Sequence, residues 1–393
     1  MSREGRENRA AITAWQGLNA SLRLMARGMF LRDPRRFEPA RVVVHLIGNI
    51  GDIIVAVPAL MALRARFPEA MLTLLTSPGK RGMPGAAQLL TGVSYLDRMH
   101  VYHAEDIASP THQVALAKTV RGWKPDLMVF LPSSRVPAKT VYRNLAFARL
   151  CGPKAIFNYQ VPASPWYRLS QAITQDRFPH EIERHLTALR PLGIHDAVSF
   201  ELGAASASDV ARIDALAATA AGRPVLAVCA GGKQEGHLWP VDRFAAVCER
   251  AHAELDAAIW IVGGPGDKTA AQAIVEVVPT AVDLTGELSL LGSYALLNQA
   301  DVMLTNDTGP MHLAVAAGTR VCAIFSSQNY VGRWYPYGEG HMVFRAEKAC
   351  PVCLFNERRT LHCVGRIGVD EVARACLDTL AAATDTLAPT LQP

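Results

Sequence analysis

The 393-residue chain has no apolar run long enough to cross a bilayer, no low-complexity tract and no block of like charge. Each absence removes a class of protein. A spanning helix needs roughly 20 consecutive apolar residues, so an integral helical membrane protein is not expected. The net charge of +5 is mild and dispersed. It suits an acidic small substrate or an anionic surface, and gives no support to a nucleic-acid partner. Met1 to Ala10 is polar and lacks the apolar core of a secretory signal. No Asp-x-Asp pair is present to hold a metal ion. Gly263-Gly264-Pro265-Gly266 falls short of the Gly-x-Gly-x-x-Gly fingerprint, so a nicotinamide cofactor is not expected either.

What remains is ample for two domains with full cores, since half of the residues are hydrophobic. The eight cysteines are scattered, several of them inside apolar runs where a thiol packs as a small hydrophobe. That usage points to a reducing compartment, the cytoplasm. Cys350, Cys353 and Cys363 cluster near the end. They read either as part of a metal site needing a fourth ligand, from His362 or Cys376, or as free thiols in a surface loop.

Residues 1–40 form a basic N-terminal extension. Ile12, Trp15, Leu18, Leu22, Leu24, Met25 and Met29 alternate there with Arg23, Arg27 and Arg32 in an amphipathic helical pattern. Such a helix can lie on an anionic membrane surface or pack on the domain that follows.

Residues 41–200 alternate strands with helices. Arg41 to Ile47 is the first clear strand, and Gly48-Asn49-Ile50-Gly51-Asp52 leads into an apolar helix. Asp52 at that helix start either caps the positive end or serves as a general base. Later strands end near Lys80, Arg81 and Arg135, at positions suited to contacts with an acidic substrate. Residues 201–223 loosen into Gly203-Ala-Ala-Ser-Ala-Ser and an alanine-rich helix, read as the connection between the domains. Residues 224–345 repeat the alternation, and residues 346–393 carry the clustered cysteines and a final helix. Two runs of βα units predict an α/β protein of two doubly wound domains.

The stretch Ala300 to Gly318 concentrates the second domain's chemistry. An apolar strand stops at Asn306-Asp307-Thr308-Gly309-Pro310 and resumes as a small-residue helix containing His312. Amides at such a helix start, backed by its dipole, suit a phosphate.

Three blocks together resemble glycosyltransferase family 9, the ADP-heptose:lipopolysaccharide heptosyltransferases. They are GNIGDIIVAVPALMALRARFPEA, then DLTGELSLLGSYALLNQADVMLTNDTGPMHLAVAAGTRVCAIF, then RWYPYG from Arg333. The likeness runs from about Arg41 to Val372. It implies a GT-B fold, with an acceptor domain, a nucleotide-sugar domain and a terminal helix packing back on the first domain. It also implies an inverting, metal-independent transfer, with no cofactor, from an ADP-heptose-like donor to an acidic glycan or glycolipid at the inner membrane face. Asp52 matches the family's base, with Gly51 beside it. Asp307, Thr308 and Gly309 match the residues around the donor diphosphate, with His312 on the same helix. Asp267 matches the ribose-binding acid, and Asp283, Thr285 and Gly286 are expected at the base. One departure stands out: His237 occupies the position two before Trp239-Pro240 where the family carries a basic residue, and Lys233 lies upstream. Either could supply the phosphate-binding charge. A nucleotide-sugar 2-epimerase-like isomerase and a non-catalytic nucleotide-sugar binder are the alternatives.

Overall fold

Strand β1, Arg41–Ile47, buries its five inner residues, Val42 to Leu46. A strand covered on both faces is a nearly continuous apolar run, as parallel sheets require, and His45 is the one polar residue among these five. The computed structural model describes residues 13–14, 16–22, 24–26, 33, 35, 37–133, 136–159, 178–195, 198–232, 238–327, 330–345 and 363–387. The chain divides into two compact units, Met1–Leu202 and Gly203–Pro393.

The first unit is built on a five-stranded parallel sheet in the order β3-β2-β1-β4-β5. Its other strands are β2 (Met71–Ser77), β3 (Arg98–Val101), β4 (Leu127–Phe130) and β5 (Ala155–Phe157). β1 lies between β2 and β4, so the turn that follows it opens at the middle of the carboxyl edge. That turn feeds the helix Ile50–Arg66, which is buried continuously from Ile53 to Leu60 and continues through Pro58. The helix Glu181–Leu189 packs against it.

The second unit holds a six-stranded parallel sheet in the order β11-β10-β9-β6-β7-β8. Its strands are β6 (Val225–Cys229), β7 (Ala258–Ile261), β8 (Val282–Asp283), β9 (Val302–Asn306), β10 (Arg320–Phe325) and β11 (Met342–Arg345). From β6 the chain builds outward through β7 and β8. It then returns to add β9, β10 and β11 on the other side, which makes the boundary between β6 and β9 the topological switch point. Ligands of doubly wound sheets bind outside the carboxyl ends of the strands at such a point.

Three helical segments complete the two units. In the N-terminal extension, residues 13–14, 16–22 and 24–26 are helical, and Leu22 and Ala26 are buried in one cluster with Val43, Leu75 and Tyr102, the second of the two expected placements. Trp15, Arg23, Arg27 and Arg32 lie outside the described residues. The alanine-rich helix expected in the connection at 201–223 runs from Ala207 to Thr219 and buries Ile213 and Leu216. Asp209 fixes it there, accepting the Ser289 hydroxyl at 2.6 Å.

The terminal helix, Val369–Leu387, sets its apolar stripe, Val372, Ala373, Cys376, Leu377 and Leu380, into the core of the second unit with Phe244, Val247 and Cys248. The chain leading into it is anchored there as well, because the Ile367 carbonyl accepts from Trp239 Nε1 at 3.2 Å and from Arg243 Nη1 at 2.7 Å. Among the described residues, no helix is long and apolar enough to cross a membrane.

Two histidines are sealed in the first unit. His45 bonds Tyr102 Oη through Nε2 at 2.8 Å, and burial, reinforced by the charge of Arg143, pushes its pKa down to about 4. His185 falls to about 3 through burial and the neighbouring Arg184. Both rings are neutral in the fold, whereas an unfolded histidine takes up a proton below about 6.5. Between about pH 6.5 and pH 4 the unfolded chain therefore binds more protons, and stability falls as the pH falls. His45→Gln should flatten this dependence. The loss of unfolding free energy from about pH 7 to about pH 4.5, read from urea titrations, should be smaller in the variant by about 1–3 kcal/mol. An unchanged pH slope would refute the assignment.

Candidate active site

In the first unit, Gly48 and Asn49 join β1 to the helix Ile50–Arg66. The Gly48 N–H donates to the Ser77 carbonyl at 3.0 Å, which ties the exit of β1 to the end of β2. Asp52 is the third helical residue, and its Oδ2 accepts the Asn49 N–H at 3.0 Å. The side chain folds back over the turn so closely that a Cβ on Gly48 would lie 2.2 Å from Asp52 Cβ. The capping and base readings thus fall on one carboxylate whose orientation is fixed by the backbone. Gly51, half-buried, lies next to it in the first turn.

The basic residues expected at this edge are not equivalent. Lys80 is exposed and forms no ion pair among the described residues. Arg81 pairs with Asp106, which neutralises it. Arg135 lies outside the described residues. At the exit of β4, Arg184 donates to the Pro132 carbonyl and grips the fully buried Glu181 carboxylate, with Nε at 2.9 Å and Nη2 at 2.6 Å. An ion pair of this kind is sustained by its hydrogen bonds, since burying either charge alone is costly. The pairing was not legible, because nothing near Glu181 in the sequence signals a distant carbonyl.

In the second unit three turns converge at the switch point. Gly231 and Gly232 follow β6, and a Cβ on Gly231 would lie 1.9 Å from Asp267 Oδ1, while one on Gly232 would lie 2.8 Å from Thr308 Cγ2. Asp267, from the turn after β7, and Thr308, from the turn after β9, therefore both press on the glycine backbone. Asp267 Oδ2 also accepts the Gly264 N–H at 2.8 Å. Beneath them, burial and then the charge of Asp267 push the Cys229 thiol up to about 12, which keeps it protonated.

Thr308 is the N-cap of the helix Gly309–Ala316, with φ −143° and ψ 170°, and its own side chain makes no capping hydrogen bond. A helix start of this kind suits an anion. Asp307 donates its N–H to the Ile324 carbonyl at 3.0 Å, which joins the turn to β10. His312 is buried within the helix and meets Trp334 edge to face at 5.8 Å.

At the far side, burial opposes the charge on Asp283, but the Thr285 hydroxyl at 2.6 Å, the Thr285 N–H at 2.9 Å and Lys268 at 3.0 Å outweigh it. The carboxyl is held below its ordinary range. Gly286 adopts φ +73°, a left-handed conformation that favours glycine, and donates to the Gly263 carbonyl at 2.9 Å. Asp267, Asp283, Thr285, Gly286, Asp307, Thr308 and Gly309 thus share the carboxyl edge of one sheet. Lys233 and His237 lie outside the described residues, as do Cys350 and Cys353. Cys363 is buried, and its Sγ accepts from the Ser327 N–H at 3.4 Å. Among the described residues no group of three or more metal-ligating side chains comes together.

One participant escaped the sequence reading. Asn306, fully buried, donates through Nδ2 to the Ala230 carbonyl at 2.8 Å and accepts the Trp239 N–H on Oδ1 at 2.9 Å. The available signal was an amide side chain at the last position of an otherwise apolar strand.

With this geometry in hand, the comparisons with known proteins are informative. A family model described as glycosyltransferase family 9 (heptosyltransferase) matches residues 145–363. The lipopolysaccharide heptosyltransferase 3 of Escherichia coli is 22% identical over 303 residues, covering 75% of this chain and 86% of that protein. Among solved structures, a family 9 glycosyl transferase from Veillonella parvula superposes with a TM-score of 0.66 at 18% identity, over 87% of this chain and 97% of that one. The ADP-heptose lps heptosyltransferase II of E. coli gives 0.60 at 16% identity, over 87% and 99%. These two likenesses establish the GT-B fold.

Gly48→Ala tests the close approach at Asp52. The added methyl overlaps Asp52 Cβ rather than the mobile end of a side chain, so it should cost about 1–3 kcal/mol, seen as a lower Tm. A variant as stable as the parent would show that the turn has room to spare.

Proposed function

The chain belongs to glycosyltransferase family 9, and on that footing we propose that it transfers a heptose, or a related sugar, from a nucleoside diphosphate donor to an acidic glycan or glycolipid of the lipopolysaccharide-core type. ADP-heptose is the first candidate donor. The observation that carries this reading is the convergence of Gly231, Gly232, Asp267 and Thr308 at a helix start on the switch point of the second sheet.

In this scheme the donor diphosphate takes the amides of Thr308 and Gly309, where the helix dipole stabilises the charge that grows as the glycosidic bond breaks. Asp267 holds ribose hydroxyls, as a carboxylate just after a glycine turn can. Asp283 and Thr285 border the base. Asp52 removes the proton from the acceptor hydroxyl as it attacks the anomeric carbon. Attack opposite the departing diphosphate inverts the configuration. The amides and a side-chain cation do the work that a metal does elsewhere, so no metal takes part.

The acceptor's negative charge is met on the first unit by Lys80 and Arg135, with Arg81 contributing less because Asp106 already pairs with it. The protein works in the cytoplasm and reaches its glycolipid at the inner membrane face. There the exposed Leu24 and Met25, on the N-terminal helical segment, support peripheral attachment.

Thermal-shift screening with ADP, UDP and GDP sugars tests the donor, because a ligand that binds only the folded state raises the apparent stability. ADP sugars should stabilise most, and a clear preference for another base would remove the heptosyl assignment. Asp52→Asn should lower the transfer rate by at least about a hundredfold, while donor-induced stabilisation stays as in the parent. A variant that retains transfer would remove Asp52 from the mechanism. Turnover should survive a chelator, and its loss would establish a metal requirement.

A further inference from the structure

We propose that Ser327 and Arg345 form a binding site for an oxyanion, a phosphate or carboxylate group, at the carboxyl edge of the second sheet and apart from the donor turn. Ser327 follows β10, and Arg345 is the last residue of the edge strand β11, in register with Phe325. The Arg345 guanidinium donates through Nη2 to the Ser327 carbonyl at 3.1 Å. The Ser327 N–H donates in turn to Cys363 Sγ at 3.4 Å, so the backbone at Ser327 is held on both of its polar groups. Two side-chain atoms of the pair are left over. Arg345 Nη1 and Ser327 Oγ are both buried, and neither has a hydrogen-bond partner. Ser327 as a whole is 2% exposed.

Those two atoms define the chemistry of the ligand. A guanidinium only donates, and its charge persists at every working pH. Among the described residues no carboxylate pairs with Arg345. A buried donor without an acceptor lowers stability, and more so when it belongs to a charged group. Nη1 and Oγ do not bond each other, although their residues already meet at the Ser327 carbonyl. A third group between them must therefore accept from both. Water satisfies the hydrogen bonds but leaves the charge uncompensated, whereas an oxyanion brings two acceptor oxygens and the opposite sign. The location is also one where doubly wound sheets gather ligands. β10 separates β11 from β9, and the helix start at Thr308 follows β9, so the pair stands on the other side of β10 from the donor turn.

The test is thermal unfolding of the full chain titrated with inorganic phosphate, under saturating ADP so that the donor turn is occupied. Phosphate should raise Tm further and saturably, because a ligand that binds only the folded state stabilises it. Arg345→Gln should raise the phosphate concentration at half-maximal shift by about tenfold or more, the loss of a charge-assisted bond. Arg345→Lys, which keeps the charge but lacks the second nitrogen, should fall between the two. Ser327→Ala covers the case in which the arginine variants do not fold, since it deletes only a hydroxyl that has no partner. Without phosphate it should be at least as stable as the parent, and with phosphate it should gain less. A purely structural role for either residue predicts no such dependence on the anion. A phosphate-bearing core oligosaccharide then separates the two sources of the anion. An Arg345-dependent shift at lower concentration than free phosphate assigns the site to an acid group on a glycan, and its absence assigns the site to a free anion.

No saturable shift with phosphate, equal shifts in the parent, Arg345→Gln and Ser327→Ala, or a shift that saturating ADP abolishes would each overturn the proposal, the last by placing the anion at the donor turn. A protein that no nucleoside diphosphate stabilises would overturn the donor reading instead, and the comparison of phosphate shifts between parent and variants would still decide the oxyanion site.

Discussion

Side by side in one sheet, β6 and β9 send their chains away in opposite directions, and the rest of the second unit is arranged around the gap this creates. At that boundary the backbone has run out of ladder partners, so each polar group needs another acceptor or donor. Asn306 satisfies two of them, the Ala230 carbonyl and the Trp239 N–H. The glycines satisfy the rest of the constraint by having no side chain, since Asp267 and Thr308 occupy the space that a Cβ on Gly231 or Gly232 would need. What is left over is the start of the helix Gly309–Ala316. An anion site is then a remainder of sheet topology rather than an added device.

That remainder is surrounded by negative charge, which an anion site should avoid. The conflict is resolved unequally. Asp283 is internally satisfied by Thr285 and Lys268, so its charge is largely spent on its own turn. Asp267, after β7, has one oxygen on the Gly264 N–H and presses on Gly231, while Thr308 at the helix start presses on Gly232. Separation across the sheet lets carboxylates serve hydroxyl groups while amides serve phosphate. The first unit follows the same economy, with Asp52 turned back on Asn49 and Arg81 cancelled by Asp106.

Much of this was legible because parallel strands must be apolar almost end to end, and the residue that ends such a run marks the sheet's carboxyl edge. Gly48 to Asp52 and Asp307 to Gly309 stood out for that reason. Amphipathic segments were harder. A stripe of apolar residues states that a helix is covered but not by what. The N-terminal stripe suited a membrane surface as well as the first domain, where Leu22 and Ala26 pack, and the alanine-rich helix Ala207–Thr219 read as a connection although it buries Ile213 and Leu216. Pairing between distant charges was invisible for the same reason. Arg81 and Asp106 are 25 residues apart, and only the return of the chain after β3 brings them together.

Asn306 illustrates the remaining gap. In the sequence it is one letter in a turn-forming cluster, and its neighbour Asp307 looks the more chemical of the two. Burial reverses that ranking. A fully buried amide that lost either partner would leave a backbone group unsatisfied, at a cost of about 1–3 kcal/mol, so its position is strictly determined. Asp307, half-buried on the turn itself, is held by its backbone, whose N–H donates to the Ile324 carbonyl at 3.0 Å. The turn that follows β9 is therefore placed from two sides, by a buried amide side chain at Asn306 and by a backbone bond from Asp307 to β10, and its amides take their position from both.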